Sequence, residues 1–332
     1  MDESDSRGLL ALSPVRALAA VLIALAVVGL LVGTASATGV LGVPSVVDVD
    51  NHFAGANASA TVVSSNLTVT NPNPIPLSLA GADVSHAVYM NGIRMGSGSR
   101  TGLYLPSDNS TVRVRTTLRN DRIPRWWVTH VRNGEHTNLT VRGTVTSTVL
   151  DRSVSRRIAH RSIDTNVISV FETNRTVPVN ASVPGVSNPV LYVNRTRAHW
   201  GTVTRNRTVV RANLTVTNPH SYAVPIDNVT YGVTMNGVEV GNGSTRNLSA
   251  IPPKTTTNVS ARFVVDNRKL DDWWVTHVRN DQTTTARFDY AVRVDLSQFG
   301  RGSRTFSPPP IERTFHTDIF GEDSAGNGVS VS

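Results

Sequence analysis

The chain has 332 residues, of which 39% are hydrophobic and 17% are charged; its formal net charge is +8 and it has no cysteine. The lack of cysteine excludes disulfide bridges, iron–sulfur clusters, thiolate zinc sites and a cysteine nucleophile, and the apolar content argues against a mostly disordered chain. At about 100–200 residues per domain, this length predicts two globular domains. The net charge alone does not show whether the protein contacts nucleic acid, an acidic surface, or neither of them.

The first distinct segment is an uncharged apolar run, Ala17–Gly33. A helix of this length spans about 26 Å, close to the minimum for a bilayer. Arg7 and Arg16 precede the run, and no Lys or Arg follows before Arg94. The positive-inside rule therefore keeps the N-terminus in the cytoplasm.

These features predict a single-pass protein of the cell membrane with extracytoplasmic C-terminal domains. Its cytoplasmic tail would be residues 1–16 and its transmembrane helix or signal anchor residues 17–40. The small residues Ala35-Ser36-Ala37 also fit a signal-peptidase site, so secretion after cleavage at Ala37 is the alternative. The apolar run is longer than the usual core of a signal peptide, which favours the uncleaved anchor; a buried core helix is the third interpretation.

Thirteen sequons of the form N-x-[S/T] also point to export, since chance predicts about five in this composition. The excess favours a glycoprotein, and the alternative is that Asn- and Thr-rich strands and turns create sequons incidentally. The acceptor positions are Asn57, Asn66, Asn109, Asn138, Asn174, Asn180, Asn194, Asn206, Asn213, Asn228, Asn242, Asn247 and Asn258.

Beyond residue 43 the chain repeats itself with a period of 145–149 residues, which indicates a domain duplication. The matching segments are Leu67–Pro72 with Leu214–Pro219, Met90–Gly92 with Met235–Gly237, and Trp126–Asn133 with Trp273–Asn280. The ends match loosely, Thr165–Phe171 with Thr314–Phe320. We predict domain 1 at 44–172, a linker at 173–187, domain 2 at 188–321 and a disordered tail at 322–332.

Each copy has the alternation of β-strands. In copy one, residues 112–119 alternate between apolar or Thr positions and polar ones, and residues 259–265 repeat the phase in copy two. Met90-Asn91-Gly92-Ile93 predicts a two-residue hairpin, and the prolines after Asn71 end a strand. About seven strands per copy predict an all-β protein built from two tandem antiparallel β-sandwiches.

The Trp-Trp segments break the alternation and predict one short helix per copy. Pro124 suits a helix start and Asn133-Gly134 a left-handed helix end. Adjacent Trp side chains point about 100° apart on a helix, so one could be buried and its neighbour partly exposed. We interpret the segment as a structural plug; the alternative is a partner-contacting face, for which Trp126 and Trp273 are the candidate residues.

The motif set L-T-V-T-N-P-N-P from Leu67, M-N-G-x-x-x-G-x-G from Met90 and W-W-V-x-H-x-x-N-G from Trp126 resembles the late-embryogenesis-abundant type 2 family. Its domain is also called the water stress and hypersensitive response (WHy) domain. Copy two is similar to the family's opening at Trp200-Gly201 and departs from the motif at His220-Ser221. The resemblance covers about 44–321, and the tandem anchored form looks like proteins of salt-adapted archaea.

This resemblance implies a fibronectin III-like sandwich, a role in desiccation, osmotic or other stress, no catalysis and no cofactor. The sequence agrees with the absence of catalysis and of a cofactor, because it contains no P-loop, dinucleotide-binding or nucleophile-elbow motif. Gly96-x-Gly98 and Gly241-x-Gly243 follow hairpin strands and predict bulges or turns. His130 and His277 lack a second histidine at helical spacing, so we predict no metal site. The resemblance carries over no catalytic residue.

The partners we expect are the membrane, through the N-terminal helix, and the cell envelope. Arg152, Arg156, Arg157 and Arg161 form a basic cluster that is either a solvated loop or a contact to envelope glycans, surface-layer protein or lipid headgroups. Export argues against nucleic acid. The first functional hypothesis is a non-enzymatic stress protein that binds or shields; the alternatives are a cell-surface adhesion or spacer module and a protein that binds an apolar ligand or lipid.

Overall fold

The computed structural model describes residues 44–78, 82–102, 104–147, 151–180, 188–246, 250–297, 300 and 302–320. The predicted membrane segment 17–40, its cleavage motif, Asn247 and the predicted tail 322–332 lie outside the described residues. Within the described part of the chain, no helix is long and apolar enough to cross a membrane.

The chain divides into two compact units. Among the described residues, the first unit comprises 44–119, 137–163 and 318–320, and the second comprises 120–136 and 164–317. The helix of copy one therefore lies in the second unit. The domain limits at 172 and 188 stay a prediction from the sequence.

The first unit is a single seven-stranded antiparallel sheet in the order β1-β2-β7-β5-β4-β8-β9, with a small β3-β6 pair beside it. Its strands are β1 (Ser45–Ala56), β2 (Ala60–Asn71), β3 (Leu77–Ser78), β4 (Ala82–Met90), β5 (Ile93–Thr101), β6 (Tyr104–Leu105), β7 (Asp108–Arg119), β8 (His136–Ser147) and β9 (Arg152–Asp164). Only two residue pairs join β5 to β7, so the sheet is nearly divided at that point.

The second unit contains two sheets. One has the order β10-β11-β12-β15; the other has the order β14-β13-β16-β17, with β18 also paired to β16. The strands are β10 (Val177–Val179), β11 (Leu191–Val203), β12 (Arg207–Thr217), β13 (Ile226–Met235), β14 (Val238–Arg246), β15 (Thr256–Asp266), β16 (Thr283–Asp295), β17 (Ser303–Phe306) and β18 (Ile311–His316). Buried residues from both sheets, among them Val193, Ile226 and Val294, form one apolar core, so this unit is a β-sandwich.

Both predicted helices are present. Helix α1 spans Ile123–Arg132 and helix α2 spans Leu270–Arg279, each preceded by a short 3-10 turn. Pro124 occupies the first turn of α1, where its missing N–H costs nothing, and Gly134 follows the helix with a φ of +71°. A third 3-10 helix, Val167–Phe171, lies between the two copies.

The predicted alternation and hairpins are confirmed. Along β7, Val112 and Thr116 are buried while Arg113 and Arg115 are exposed. Met90 pairs with Ile93 across a two-residue turn with positive φ at both central residues, as a type I′ hairpin requires.

The first glycine of each pair lies beside a bulge, as predicted, and the second lies in regular register. The register between β4 and β5 shifts beside Gly96, and that between β13 and β14 shifts beside Gly241. A Cβ atom at Gly96 would lie 2.1 Å from the Thr117 carbonyl oxygen, and one at Gly241 would lie 2.4 Å from that of Val264. Glycine therefore also lets the neighbouring strand approach closely, which the sequence pattern alone did not indicate.

Candidate functional site

A row of hydroxyl and amide side chains crosses the outer face of the β11-β12-β15 sheet. Asn194 Nδ2 donates to Thr217 Oγ1 at 2.6 Å, and the Thr217 hydroxyl lies 2.7 Å from the Thr256 hydroxyl on the next strand. These three residues link all three strands through uncharged groups. Strand pairing brings them together, since Thr217 faces Thr256 in the β12-β15 register.

Two further cross-strand pairs continue this row. Thr215 Oγ1 donates to Asn258 Oδ1 at 3.1 Å, and Ser260 Oγ donates to Asn213 Oδ1 at 3.0 Å. We call the seven residues of this row the polar ladder: Asn194, Asn213, Thr215, Thr217, Thr256, Asn258 and Ser260. The period of two puts the members on β12 and β15 on the wet face of the sheet, and the hydrogen bond from the bulged Asn194 to Thr217 adds it to the same row.

Copy one carries related pairs on β1, β2 and β7. Thr70 Oγ1 donates to Asn109 Oδ1 at 2.5 Å, at positions equivalent to Thr217 and Thr256. Asn66 Nδ2 donates to Asp50 Oδ2 at 3.0 Å. Cross-strand hydrogen bonds between polar side chains on an exposed face are therefore common to both copies, and in copy one the Asp50 carboxylate gives one of them a charged acceptor.

The predicted glycosylation positions fall on or near these faces. Of the twelve that the structure describes, the exposed ones are Asn57, Asn109, Asn174, Asn180, Asn206, Asn213, Asn242 and Asn258, and the half-buried ones are Asn66, Asn138, Asn194 and Asn228. Exposure is what a glycan requires, and occupancy of the sequons stays a prediction.

The five Trp residues of the chain form one cluster in the second unit. Trp127 makes edge contacts to Trp200 and Trp273, with ring centroids 5.9 and 6.3 Å apart, and Trp126 makes an edge contact to Trp274 at 6.1 Å. The indole nitrogen of Trp127 donates to Thr208 Oγ1 at 3.0 Å. Edge-to-face packing adds to the burial of these large rings and fixes α1 against α2 and β11.

Trp126 and Trp273, the candidate partner contacts, are both buried, at 7% and 3% exposure. Trp273 Nε1 donates to the buried Thr284 hydroxyl at 2.9 Å. The expectation that one Trp of each pair would be partly exposed is wrong, because rings from the other helix cover both. The geometry supports the structural plug, and contact with a partner stays a prediction.

Glu135, just after α1, is a buried carboxylate that sequence reasoning did not single out. Its Oε1 accepts from Trp200 Nε1 at 2.9 Å and from the Ile168 N–H at 3.0 Å. Its Oε2 accepts from the Thr165 hydroxyl at 2.8 Å and from the Val167 N–H. One side chain thus connects the end of α1, the 3-10 helix between the copies and strand β11. Gln282 stands at the equivalent position of copy two.

His130 and His277 lie beneath the Trp rings. His130 Nε2 is 2.9 Å from Thr165 Oγ1, and His277 is held between Thr284 and Thr317 at 2.8 Å on either ring nitrogen. Burial lowers the pKa of His130 to about 4, although the Asp164 carboxylate acts in the opposite direction. Burial and the charge of His316 lower the pKa of His277 to about 3.

Acid should therefore destabilise the second unit through these imidazoles. Below pH 6.5 the unfolded chain binds protons that the folded chain does not, so stability is full above 6.5 and falls toward pH 4. For each histidine we expect a loss of about 1.4 kcal/mol per pH unit in that window. Urea denaturation of the wild type at several pH values would measure the slope. His277→Gln, which cannot be protonated there, should have a shallower slope, and an unchanged slope would contradict this account.

The Asn-Pro motif is structural. Asn218 Nδ2 donates to the carbonyls of Tyr222, Ile251 and Pro252 at 2.7, 3.0 and 3.1 Å. Asn71 makes the equivalent bonds in copy one, to Ile75 and Pro106 at 3.1 Å each. A buried amide whose two N–H groups are shared among three carbonyls closes the loop after the strand, which explains this residue in both copies without a role in binding.

The described residues of the second unit line a small cavity and a larger groove. An enclosed one of about 40 Å³ lies between its two sheets, and Phe171 of the 3-10 helix helps to line it. This volume suits about one water molecule, not an acyl chain. The other is an open polar groove of about 620 Å³ beside Asn206 and Asp266, in which Asp266 and Arg268 pair with each other at 2.8 Å.

Among the described residues, no group of three or more His, Asp or Glu is placed to hold a metal ion.

Comparison with solved structures finds several partly similar chains. A crystal structure of a protein from Archaeoglobus fulgidus is 27% identical, covers 37% of this chain and 96% of its own, and has a TM-score of 0.35. A solution structure of a protein from Arabidopsis thaliana is 21% identical, with 36% and 74% covered and a TM-score of 0.29. A β-glucuronidase from Bacteroides uniformis is 11% identical, with 80% and 28% covered and a TM-score of 0.25.

No curated protein matches the chain by sequence. The family model described as late embryogenesis abundant protein, LEA_2, matches it twice, at residues 66–161 and 213–309. Each match includes the Asn-Pro strand, the Asn-Gly hairpin and the Trp-Trp helix of one copy, and together they cover more than half of the chain. The chain therefore belongs to the LEA_2 family of late embryogenesis abundant proteins.

Proposed function

We propose that this protein is a non-enzymatic, membrane-anchored and extracytoplasmic stress protein that shields the cell envelope during water loss. Membership of the LEA_2 family supports a role in water stress. The apolar run Ala17–Gly33 supports the membrane anchor. We also propose that each copy has a fibronectin III-like topology.

The observation that carries the proposal is the polar ladder. A Thr hydroxyl has one donor and two acceptor positions, and an Asn amide has two of each, so every cross-strand bond leaves capacity that faces solvent. These groups are neutral, and their hydrogen bonds are much less sensitive to salt than surface ion pairs. The ladder can thus hold water, or hydroxyl groups that replace water, while the salt concentration rises during drying.

Survival after drying or osmotic upshift, both of which remove water from the cell, tests the role in stress. A strain that lacks the protein should survive less well, and the wild-type gene should restore survival. A triple variant, Thr215→Val, Thr217→Val and Thr256→Val, keeps β-branched side chains but removes ladder hydroxyls, so it should restore survival only in part. Wild-type survival of the deletion strain under all these stresses would contradict the proposal.

The anchor is tested by fractionating cells and measuring the intact mass of the native protein. We expect it in the membrane fraction, with the mass of the uncleaved chain plus any glycans. A soluble protein whose mass corresponds to a start after Ala37 would instead identify a secreted form. The same spectrum shows which sequons are occupied.

A further inference from the structure

Exposed apolar side chains are concentrated in the first unit. The large hydrophobic residues that are exposed among the described residues are Val47, Ile75, Tyr104 and Val154, at 44%, 54%, 62% and 39%. All four belong to the first unit. Single exposed apolar residues are ordinary on a soluble surface, and several at one place indicate a contact.

The strand register puts all four at the same end of the sheet. Strand β1 begins beside the end of β2, where Ser45 pairs with Thr70. Ile75 and Tyr104 flank the loop closed by Asn71, which donates to the carbonyls of Ile75 and Pro106. Val154 lies at the start of β9, next to the end of β8. We call Val47, Ile75, Tyr104 and Val154 the apolar end.

The duplicated copy provides an internal comparison. The bulged residue of β1, Val47, corresponds to Asn194 of β11, whose side chain bonds to Thr217. Asn71 and Asn218 donate to carbonyls at matching positions, so Ile75 corresponds to Tyr222 and Tyr104, one residue before Leu105, corresponds to Ala250. Tyr222 is half-buried and stacks on His220 with the ring centroids 4.7 Å apart. The exposed apolar side chains are therefore particular to copy one.

The apolar end is also where the chain enters the first unit from its N-terminal segment. Only three residues separate Val43, at the end of the apolar N-terminal sequence, from Val47 in β1. At about 3.4 Å per extended residue, the seven residues from position 40 reach at most about 24 Å. With the proposed anchor at 17–40, the apolar end cannot be far from the membrane surface.

We propose that the apolar end rests on the outer surface of the lipid bilayer, so that the first unit is seated on the membrane as well as tethered to it. This inference rests on the proposed anchor. Tyr104 has the amphipathic ring that is enriched at membrane interfaces, and the exposed Arg152 and Arg156 beside Val154 can reach phosphate groups. The exposed carboxylates of Asp48 and Asp108 lie at the same end, so apolar contact and not net charge is the main attraction.

Labelling at single positions tests the proposal, because the chain has no cysteine of its own. The full-length variants Tyr104→Cys and Ala250→Cys place an environment-sensitive fluorophore at equivalent exposed sites of copies one and two. Both are reconstituted into vesicles of phosphatidylcholine and phosphatidylglycerol that carry brominated acyl chains. The label at position 104 should lose most of its fluorescence, and the label at position 250 should keep nearly all of it.

A second variant checks that the apolar side chains cause the contact. Ile75→Ser combined with Val154→Ser alters exposed residues only, so the fold should persist while the label at position 104 recovers its fluorescence. If the protein floats with the vesicles but its two labels are equally bright, the contact between the apolar end and the bilayer is rejected. The proposed anchor is then retained. Protein that does not float at all would overturn both. Disulfide formation between two unlabelled Tyr104→Cys chains under an added oxidant, with no lipid quenching of the labelled protein, would assign the face to a second copy and reject the bilayer.

Discussion

Replacing Trp127 by alanine is expected to lower the free energy of unfolding of the second unit by about 3–5 kcal/mol, which corresponds to a fall in Tm on the order of 10 °C. The Trp127 ring is 2% exposed and lies against Trp200 and Trp273. Its removal leaves a cavity lined by rigid rings that cannot collapse, and it leaves the buried Thr208 hydroxyl without its indole donor.

Calorimetry and urea denaturation followed by circular dichroism measure this loss without relying on the residue that is removed. Tyr104→Ala is the matched control, since it truncates an aromatic side chain that is 62% exposed. It should change the stability by no more than about 0.5 kcal/mol. If Trp127→Ala also changed the stability by no more than about 0.5 kcal/mol, the Trp cluster would not be a main element of packing in the second unit.

Replacing Glu135 by alanine is expected to cost about 3 kcal/mol or more, because it removes the acceptor of several buried donors at once. Trp200 Nε1 and the N–H groups of Val167 and Ile168 would lose their partner. The loss is local as well as global: hydrogen exchange at the amides of Val167 and Ile168 should accelerate more than exchange in the strands.

Glu135→Gln distinguishes the role of charge from that of shape. It keeps one acceptor oxygen but turns an NH2 group toward the remaining donors. It should therefore lower the free energy of unfolding, by less than Glu135→Ala does. Glu239→Ala, which removes an exposed carboxylate, is the control and should leave both stability and amide exchange unchanged. If the amides of Val167 and Ile168 exchanged as slowly in Glu135→Ala as in the wild type, Glu135 would not be what holds the 3-10 helix in place.

The strands, hairpins and helices were predictable because their signals are local. Alternation along β7, the Asn91-Gly92 turn and the Pro124 helix start each depend on neighbours within a few residues. The polar ladder was only partly predictable. Its Asn and Thr positions show a wet face, but which of them pair depends on the register between β12 and β15.

Long-range contacts were the part that sequence reasoning missed. Glu135 and Trp200 are 65 positions apart, and a Glu after a Gly-ended helix looks like any exposed acid. The only available signal was the difference from Gln282 in the other copy. The loose match of Thr165 with Thr314 was also out of register by three. Thr165 and Thr317 are the true equivalents, since each backbone N–H donates to the carbonyl of residue 135 or 282 and each hydroxyl meets the motif histidine.

The placement of α1 has a consequence for anyone who shortens this chain. The helix belongs to copy one by sequence, yet its rings share a cluster with Trp200, Trp273 and Trp274 of copy two. A fragment that began at residue 188 would lack two of the five rings of that cluster, and one that ended at residue 172 would present Trp126 and Trp127 to water. The segment that evolution duplicated and the segment that can be excised as a stable piece are therefore not the same stretch of sequence.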